Sequence, residues 1–343
     1  MSAALHRRLA TACGPLNLPT AALRQPKPAR ALSKTMGRRV MALLLAATTA
    51  SMAQAAGQNI VDDAWATALG YRFSGRLTED KHQPAAADAG RLSTLYRSAR
   101  VLAADSAAGE VSWKVGELSW ATRSDSNGYW LLQSSQALSL KPGWHEIITP
   151  TASSPAGLWV HEPRNRMGII SDIDDTILVS QVPSTVKLLK NSLTVPPEAR
   201  QAVPGMAALY GRLTHQNPSP IATPLFFVSG SPKQLTDSVR RFLTKHQFPR
   251  GVLMLKEVSS DSPDPLRDQQ AYKMARIQQI MKSLPEVKFI LVGDDGERDP
   301  EVYAEIQKQF PQQVASIWIR RVHPDPKRER FAGQQDVAEL LKQ

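Results

Sequence analysis

Residues 167–177 have the sequence Met-Gly-Ile-Ile-Ser-Asp-Ile-Asp-Asp-Thr-Ile, in which an apolar run passes directly into acidic residues and a threonine. Further apolar runs follow at 225–228, 252–255, 289–292 and 317–319. Apolar residues at three- and four-residue spacings predict helices between them, at Leu235–Leu243 and Ala271–Leu284. Short apolar strands that alternate with helices indicate an α/β fold, with a parallel sheet covered on both faces.

Acidic and hydroxyl side chains follow three of these apolar runs. Because the active sites of parallel sheets lie at the carboxyl ends of the strands, we expect these residues to meet. They are Asp172, Asp174 and Thr176 after the first run, Ser229 and Gly230 after the second, and Asp294 and Asp299 after the fourth. Carboxylates gathered in one cleft repel each other unless a cation joins them. An oxygen-only cluster without His or Cys is the kind of site that Mg²⁺ prefers.

The chain before residue 160 has a different pattern. Stretches such as Glu110–Val115 and Gly128–Leu132 alternate or cluster aromatic and β-branched residues, and turn residues such as Lys141–Gly143 separate them. This pattern predicts a small β-sandwich-like module. The predicted organisation is a leader at 1–55, the β module at 56–160 and an α/β domain at 161–343.

The amino-terminal segment has the order of a secretory signal peptide. Gly37–Arg39 supply positive charge, an apolar run extends from Val40 to Ala50, and Ser51–Ala55 contains an Ala-x-Ala cleavage pattern. We expect the signal to start near Met36 and to be cleaved after Ala55, which predicts a periplasmic or secreted protein. An uncleaved amphipathic anchor and a transit-like segment are the alternatives.

Most of the net charge of +11 comes from this leader. Residues 1–55 contain eight Lys or Arg and no Asp or Glu, so 34 basic and 31 acidic residues remain, a net charge of +3. Such a small excess argues against nucleic acid as a partner.

The single cysteine, Cys13, precedes the predicted cleavage site. The mature protein is therefore expected to lack disulfides, thiolate chemistry and cysteine-based metal sites.

The three motifs together resemble those of the haloacid dehalogenase (HAD) superfamily of phosphotransferases. Asp172, Asp174 and Thr176 match its Asp-x-Asp-x-Thr motif, Ser229 matches its second motif, and Asp294 with Asp299 matches its acidic fourth motif. The segments 172–177, 227–232 and 293–301 are similar to the actin-patch-associated phosphatidate phosphatase family, in which Lys273 stands at the lysine motif. The region around Asn127–Tyr129 and Pro142–Trp144 resembles the β module that often precedes that catalytic domain.

The resemblance covers about residues 65–325 and implies a HAD-like, Rossmann-type parallel sheet preceded by the small β-sandwich-like domain. It implies that Asp172 is the nucleophile, that Asp174 is the general acid and base, and that Ser229 and Lys273 bind the phosphoryl oxygens. Thr176 and Gly230 are implied as substrate-binding residues. The implied cofactor is Mg²⁺, held by Asp172, the backbone carbonyl of Asp174 and Asp294, with Asp299 orienting this shell.

Two departures from the family pattern bear on the site. Asp295 stands where serine is commoner, which puts the metal shell in question, and Lys233 stands where an aromatic residue is commoner, which leaves substrate contacts open. The residues also have structural alternatives. Asp172 and Asp174 are also typical of turns or helix N-caps, and Ser229 is typical of a helix cap. Asp295 and Glu297 could cap the helix that follows them. Lys256 and Lys288 are alternatives to Lys273 as the lysine of the site.

Three functions remain open on these residues. The first is a phosphatidate phosphatase that releases diacylglycerol and phosphate, the second a periplasmic phosphatase for other phosphomonoesters, and the third a non-catalytic lipid-binding module. Only about fifty residues, Leu178–Pro224, separate the first two motifs, which is small for a full HAD cap domain. An open site favours a bulky or membrane-borne substrate, so the predicted partner is a phospholipid or other phosphomonoester, with peripheral membrane contact.

Overall fold

The computed structural model describes residues 58–78, 108–150, 153–179, 200–257, 268–322, 328 and 330–342, all of which belong to one compact unit. The predicted leader at 1–55 lies outside these residues. The fold is mixed α/β, as predicted, and each of the apolar runs quoted above forms a strand.

The β module is an eight-stranded sheet. Its strands are β1 (Gln58–Val61), β2 (Ala64–Thr67), β3 (Gly70–Thr78), β4 (Glu110–Val115), β5 (Leu118–Arg123), β6 (Tyr129–Ser134), β7 (Gly143–Ile148) and β8 (Ser153–Val160). They follow the order β1-β3-β2-β8-β7-β4-β5, and β6 pairs with the other side of β3. The β2–β8 pair is parallel and the other described pairs are antiparallel.

This sheet curls back on itself, which differs from the two packed sheets of a β-sandwich. The indole rings of Trp113 on β4 and Trp130 on β6 stack at 4.5 Å, although these strands are near opposite ends of the sheet. Phe73 on β3 lies against Trp113 at 5.2 Å inside the curl. The long strand β3 pairs on both of its edges, so the sheet stays continuous while its aromatic face closes into a core.

The second sheet has six strands, and all of its pairs are parallel. The strands are β9 (Met167–Ser171), β12 (Leu225–Pro232), β13 (Val252–Lys256), β14 (Lys288–Asp294), β15 (Val314–Arg320) and β16 (Gln334–Asp336). A separate antiparallel pair is formed by β10 (Leu178–Val179) and β11 (Gln201–Ala202). The described helices are α1 (Met206–Thr214), α2 (Thr236–Lys245), α3 (Gln269–Ser283), α4 (Asp299–Gln309) and α5 (Val337–Leu340).

The strand order β13-β12-β9-β14-β15-β16 places the first strand, β9, in the middle. The chain proceeds from β9 to β12 and β13 on one side, and then crosses to β14 and its neighbours on the other. Consecutive strand residues face opposite layers: Ile169 and Phe227 belong to one core, Ile170 and Phe226 to the other. The carboxyl end of β9 is therefore the point where the strand order reverses, the place at which such sheets bind ligands.

The β module packs against the edge strand β13 through Asp63. This buried carboxylate accepts hydrogen bonds from the backbone N–H of Leu253 on β13 (3.2 Å) and of Gly157 on β8 (3.0 Å). Arg240 on α2 lies 3.3 Å from the same carboxylate. Because an unpaired edge strand exposes backbone groups, Asp63 satisfies part of that edge and joins the module to the parallel sheet. None of the described helices is both long and apolar enough to span a membrane.

Candidate active site

Asp172 is the first residue after β9 and lies between two neighbouring strands. Its backbone N–H donates to the carbonyl of Val292 on β14 at 2.8 Å, and β9 pairs with β12 on its other side. Only 2% of the residue is exposed. The sheet topology thus fixes the backbone of Asp172 at the switch point before any side-chain contact is considered.

The Asp172 carboxylate is held by two groups. Thr176 Oγ1 donates to its Oδ2 at 3.0 Å, and Lys273 Nζ lies 2.9 Å from its Oδ1. Burial raises the pKa of Asp172, and the charges of Asp299, Glu297 and Asp294 raise it further, whereas Lys273 lowers it. The result is a pKa well above the ordinary value, so the ionised form needs additional positive charge beside it.

Asp174 occupies a different environment within the same motif. Its Oδ2 accepts hydrogen bonds from Ser229 Oγ at 3.1 Å and from Ser231 Oγ at 2.8 Å. Burial raises the pKa of Asp174 above its ordinary value, although the two serine hydrogen bonds oppose that shift. Asp175 follows with a φ of 56°, which turns the chain away after the motif. A buried carboxyl with a raised pKa is suited to proton transfer.

The acidic residues of the fourth motif complete the cluster. Oxygens of Asp172, Asp294 and Asp299 lie within 4.8 Å of one another, and all three residues are buried. Asp294 ends β14 and Asp299 begins α4, where the Asp299 carboxylate accepts from the backbone N–H of Asp294 at 3.3 Å. This approach requires Gly293, because a Cβ there would lie 2.5 Å from Asp299 Oδ2.

Lys273 projects from α3 into the acidic cluster. Its Nζ lies 2.9 Å from Asp172, 3.0 Å from Glu297 and 2.6 Å from Asp299, and the side chain is 4% exposed. Burial alone would lower the pKa of Lys273, but the surrounding carboxylates raise it well above its ordinary value. The ammonium therefore remains charged and offsets part of the negative charge of the cluster.

The structure places the predicted residues together at one end of the sheet. Asp172, Thr176, Lys273, Asp294 and Asp299 are directly linked, and Ser229 is hydrogen-bonded to Asp174 of the same motif. The carboxylate of Asp174 lies outside the triad of Asp172, Asp294 and Asp299, and the family resemblance implies its backbone carbonyl as a metal ligand instead. Gly230 lies beside the side chain of Gln269 at the start of α3.

The three candidate lysines and Asp295 lie at different places in the domain. Lys288 begins β14, at the end of the sheet opposite to the acidic cluster, and Lys256 lies at the end of β13. Lys273 forms ion pairs with Asp172 and Asp299 of the acidic cluster. Asp295 turns toward the following strand, where its Oδ1 accepts from the backbone N–H of Val322 at 2.7 Å. The departure at Asp295 therefore does not add a carboxylate to the triad.

Two residues of the cluster were not identified as functional from the sequence. Ser231 gives Asp174 its shorter serine hydrogen bond, and Glu297 pairs with Lys273. A second serine two residues after Ser229 was a usable signal, because alternate residues of a strand project from the same face, and both hydroxyls bond Asp174. Glu297 had no comparable signal, since an acidic residue just before a helix is common for capping reasons alone.

The donor set fits a divalent cation. The cluster gathers the carboxylates of Asp172, Asp294, Glu297 and Asp299 around the single ammonium of Lys273 within the described part of the chain. Four carboxylates thus surround one ammonium. Burial raises the pKa of Asp172, Asp294 and Asp299, and the neighbouring carboxylates raise it further. Oxygen-only ligands with this excess of negative charge suit Mg²⁺.

Comparison with known proteins places this site in context. Residues 167–321 match the family described as "Phosphatidate phosphatase APP1, catalytic domain". Phosphatidate phosphatase APP1 of Saccharomyces cerevisiae is 33% identical over 155 residues, covering 45% of this chain and 26% of the yeast protein. An uncharacterised protein of Schizosaccharomyces pombe is 29% identical over 163 residues, covering 47% of this chain and 26% of that protein.

The chain thus spans about a quarter of the length of these curated relatives (26% in each case). Among solved structures, that of the Pnkp1/Rnl/Hen1 complex is similar over 60% of this chain and 54% of the other, with 12% identity and a TM-score of 0.32.

Proposed function

Because residues 167–321 match the family of phosphatidate phosphatase APP1 catalytic domains, we propose that this protein hydrolyses phosphatidate to diacylglycerol and phosphate. The observation that carries the proposal is the arrangement around Asp172. Its carboxylate contacts Thr176 and Lys273 within 3.0 Å and faces Asp294 and Asp299, while Asp174 is held separately by two serines. Two carboxyls in distinct environments suit a nucleophile and an acid–base partner.

In the proposed reaction, a carboxylate oxygen of Asp172 forms a bond to phosphorus while the bond to the diacylglycerol oxygen breaks. Asp174 donates its proton to that departing oxygen, and the products of this step are diacylglycerol and an aspartyl-phosphate. Asp174 then accepts a proton from water as the water oxygen attacks phosphorus. The acyl-phosphate bond breaks, releasing phosphate and regenerating the Asp172 carboxylate.

The neighbouring side chains hold these groups in place. Thr176 orients the Asp172 carboxylate, and Ser229 and Ser231 orient Asp174 through hydrogen bonds of 3.1 Å or less. Lys273 and Ser229 bind oxygens of the transferring phosphoryl group and offset negative charge as it develops. Glu297 and Asp299 position the Lys273 ammonium between them.

The proposed cofactor is Mg²⁺, held by the carboxylates of Asp172 and Asp294 and the backbone carbonyl of Asp174, with Asp299 orienting that shell. When bound, Mg²⁺ neutralises charge between the anionic nucleophile and the anionic phosphate. The parallel sheet with its Asp-x-Asp-x-Thr motif at the switch point supports assignment of the domain to the HAD superfamily.

The proposed location is the periplasm or the extracellular space. The charged segment Gly37–Arg39, the apolar run 40–50 and the Ala-x-Ala pattern before residue 56 support export. An exported enzyme would meet lipids exposed on that side of the membrane. Mass determination of the mature amino terminus after expression in a bacterial host tests this point, with cleavage after Ala55 expected and an intact terminus against it.

The function is tested by phosphate release from phosphatidate in mixed micelles, with and without Mg²⁺, beside a panel of soluble phosphomonoesters. We expect Mg²⁺-dependent release that prefers the lipid and is abolished in Asp172→Asn. Asp237→Asn, a change at a carboxylate whose side chain is 67% exposed on α2, is the matched control and should retain activity.

Turnover of the soluble esters alone would replace phosphatidate by another phosphomonoester. If the folded protein hydrolyses none of these substrates, the result would favour the non-catalytic lipid-binding module. Release that survives in Asp172→Asn would contradict the proposed nucleophile.

A further inference from the structure

A second cleft lies at the seam between the β module and helix α3. Its volume is about 390 Å³, and the residues that shape it include Trp65, Leu69, Arg72, Ser134, Gln278 and Lys282. None of its described lining residues is acidic, whereas Arg72 and Lys282 are cationic. We call this feature the seam cleft.

Arg72 is the central charge of the seam cleft. Its guanidinium lies 5.5 Å from the ring centre of Trp65, and its Nε is buried without a hydrogen-bond partner among the described residues. The nearby carboxylates of Asp62 and Glu257 are both bound by Lys233, at 2.6 and 2.8 Å. Arg72 is therefore a half-buried cation, and the two carboxylates that attract it, Asp62 and Glu257, are ion-paired with Lys233.

Helix α3 carries a second arginine beside the residues that line the cleft. Arg276 on α3 stacks over Tyr272 at 5.4 Å and donates from Nη1 to the side chain of Gln279, which also lines the cleft. The Nε atom of Arg276, like that of Arg72, is buried and has no hydrogen-bond partner among the described residues. Burial lowers the pKa of Arg72, and the positive charge of Arg276 lowers it further.

We propose that the seam cleft binds the phosphate group of an amphiphilic ligand. The Arg72 guanidinium and the Lys282 ammonium both line the cleft, and together they suit a phosphate, whose oxygens accept hydrogen bonds from several directions. Leu69 is 54% exposed and provides apolar surface for the part of the ligand that carries the phosphate. The ligand is either a phospholipid within a bilayer or a single soluble organic phosphate.

The seam cleft is distinct from the active site. Both use helix α3, but Lys273 faces the acidic cluster, whereas Lys282 is nine residues further along and lies about half a turn around the helix. The seam cleft contains no member of the acidic triad. Its ligand binding is therefore independent of the proposed hydrolysis and is measured separately from it.

The test uses a phosphodiester lipid, phosphatidylglycerol, in the full chain carrying Asp172→Asn. Binding of soluble dihexanoyl-phosphatidylglycerol is measured by calorimetry, and binding to phosphatidylcholine vesicles with and without phosphatidylglycerol is measured by sedimentation. We expect Arg72→Gln and Gln133→Glu each to raise the Kd by at least about tenfold. Gln133 is exposed and lies opposite Arg72 in the β3–β6 pair. A glutamate at this position is expected to form an ion pair with Arg72 and to leave the core unchanged.

The matched control is Arg123→Gln on β5, because this arginine side chain is 76% exposed and lies outside the cleft. It should bind like the parent. Loss of soluble-lipid binding in both cleft variants supports the site and assigns it to a single ligand, and loss confined to vesicles assigns it to a bilayer. Absence of phosphatidylglycerol-dependent binding, or equal binding by the parent and Gln133→Glu, would overturn the proposal.

Discussion

At the scale of single residues, Asp174 depends on a pair of hydroxyls. The two serine hydrogen bonds to Oδ2, at 3.1 and 2.8 Å, fix its orientation in a site where the residue is only 8% exposed. Ser231 provides the shorter of them and also donates its backbone N–H to Ser229 Oγ at 3.0 Å. It therefore orders both the acid–base candidate and the serine of the second motif.

We expect Ser231→Ala to lower kcat for phosphate release about tenfold, with KM changed much less, because it loosens Asp174 without removing a phosphate ligand. Steady-state kinetics on the preferred phosphomonoester measure this effect. Ser135→Ala, at an exposed position after β6, is the matched control. An equal loss in both variants would argue against a role for Ser231 at the site.

Lys273 is the cation on which the acidic cluster relies. We expect Lys273→Met to abolish measurable turnover and to lower the free energy of unfolding by about 3–5 kcal/mol, because it leaves buried carboxylates without a compensating charge. Mg²⁺ should stabilise this variant more than the parent, since the cluster gains negative charge. Urea unfolding at several Mg²⁺ concentrations tests both statements.

Lys282→Met is the control for that experiment, because it lies on the same helix but is exposed. It should unfold like the parent at every Mg²⁺ concentration. A Lys273→Met protein whose stability is insensitive to Mg²⁺ would contradict the proposed metal site.

At the scale of elements, the end of β14 and the start of α4 meet at Gly293. A Cβ at this position would lie 2.5 Å from Asp299 Oδ2 and 2.7 Å from the ring of Tyr303. The packing of strand against helix is thus close enough to exclude even a methyl group. This contact is also what brings Asp299 next to Asp294.

We expect Gly293→Ala to lower the free energy of unfolding by about 1–3 kcal/mol, because overpacking forces the strand and helix apart. Activity should fall with it, since Asp294 and Asp299 separate. Gly211→Ala is the matched control, because Gly211 is inside α1 and a Cβ there has no neighbour within 4 Å. That variant should be as stable as the parent or more stable, given the higher helix propensity of alanine; thermal unfolding compares the two.

At the scale of the whole molecule, Lys233 connects the β module to the loop of the second motif. Its Nζ lies 2.6 Å from Asp62 on the module and 2.8 Å from Glu257 after β13, and its side chain is 14% exposed. The ring of Tyr129 lies 5.5 Å away. The residue that departs from the family pattern therefore links the two parts of the fold instead of contacting the acidic cluster.

This link makes stability depend on pH in a defined direction. Burial alone would raise the pKa of Asp62, but Lys233 and the hydrogen bond from Ser74 lower it below the ordinary value of about 3.9. Burial alone would lower the pKa of Lys233, but Asp62 and Glu257 raise it above about 10.4. The stabilisation is fully present between these ordinary values. It is lost as pH falls through the lowered pKa of Asp62 or rises through the raised pKa of Lys233.

We expect Asp62→Asn to lower the free energy of unfolding by about 2–4 kcal/mol near neutral pH, because Lys233 loses a buried partner. The difference from the parent should shrink below about pH 3.9. Denaturant unfolding across this range measures it, with Asp125→Asn on the module as a control for the change of carboxylate to amide. A difference that stays constant at acidic pH would show that the ion pair is not its cause.

Patterns in the amino-acid sequence predicted the mixed α/β fold and the gathering of acidic and hydroxyl residues at the carboxyl ends of the strands. Apolar runs placed the parallel strands, and the residues directly after them had to meet because parallel strands end at one edge of the sheet. Lys273 was identified only through the family resemblance, since a lysine on an amphipathic helix is usually solvated. The periodicity of its helix gave no sign that it would be buried among carboxylates.

Only the tertiary structure decided the contacts between distant segments. The curl of the β module, the link from Lys233 to Asp62 and the cleft beside Arg72 join residues separated by 17 to more than 200 positions in the chain, and no local pattern specifies such pairs. Hydrophobic periodicity reports which face of a strand or helix is buried, but it does not report against which partner. Side-chain charge pairing is therefore settled when the elements pack, as the opposite orientations of Glu297 and Asp295 show.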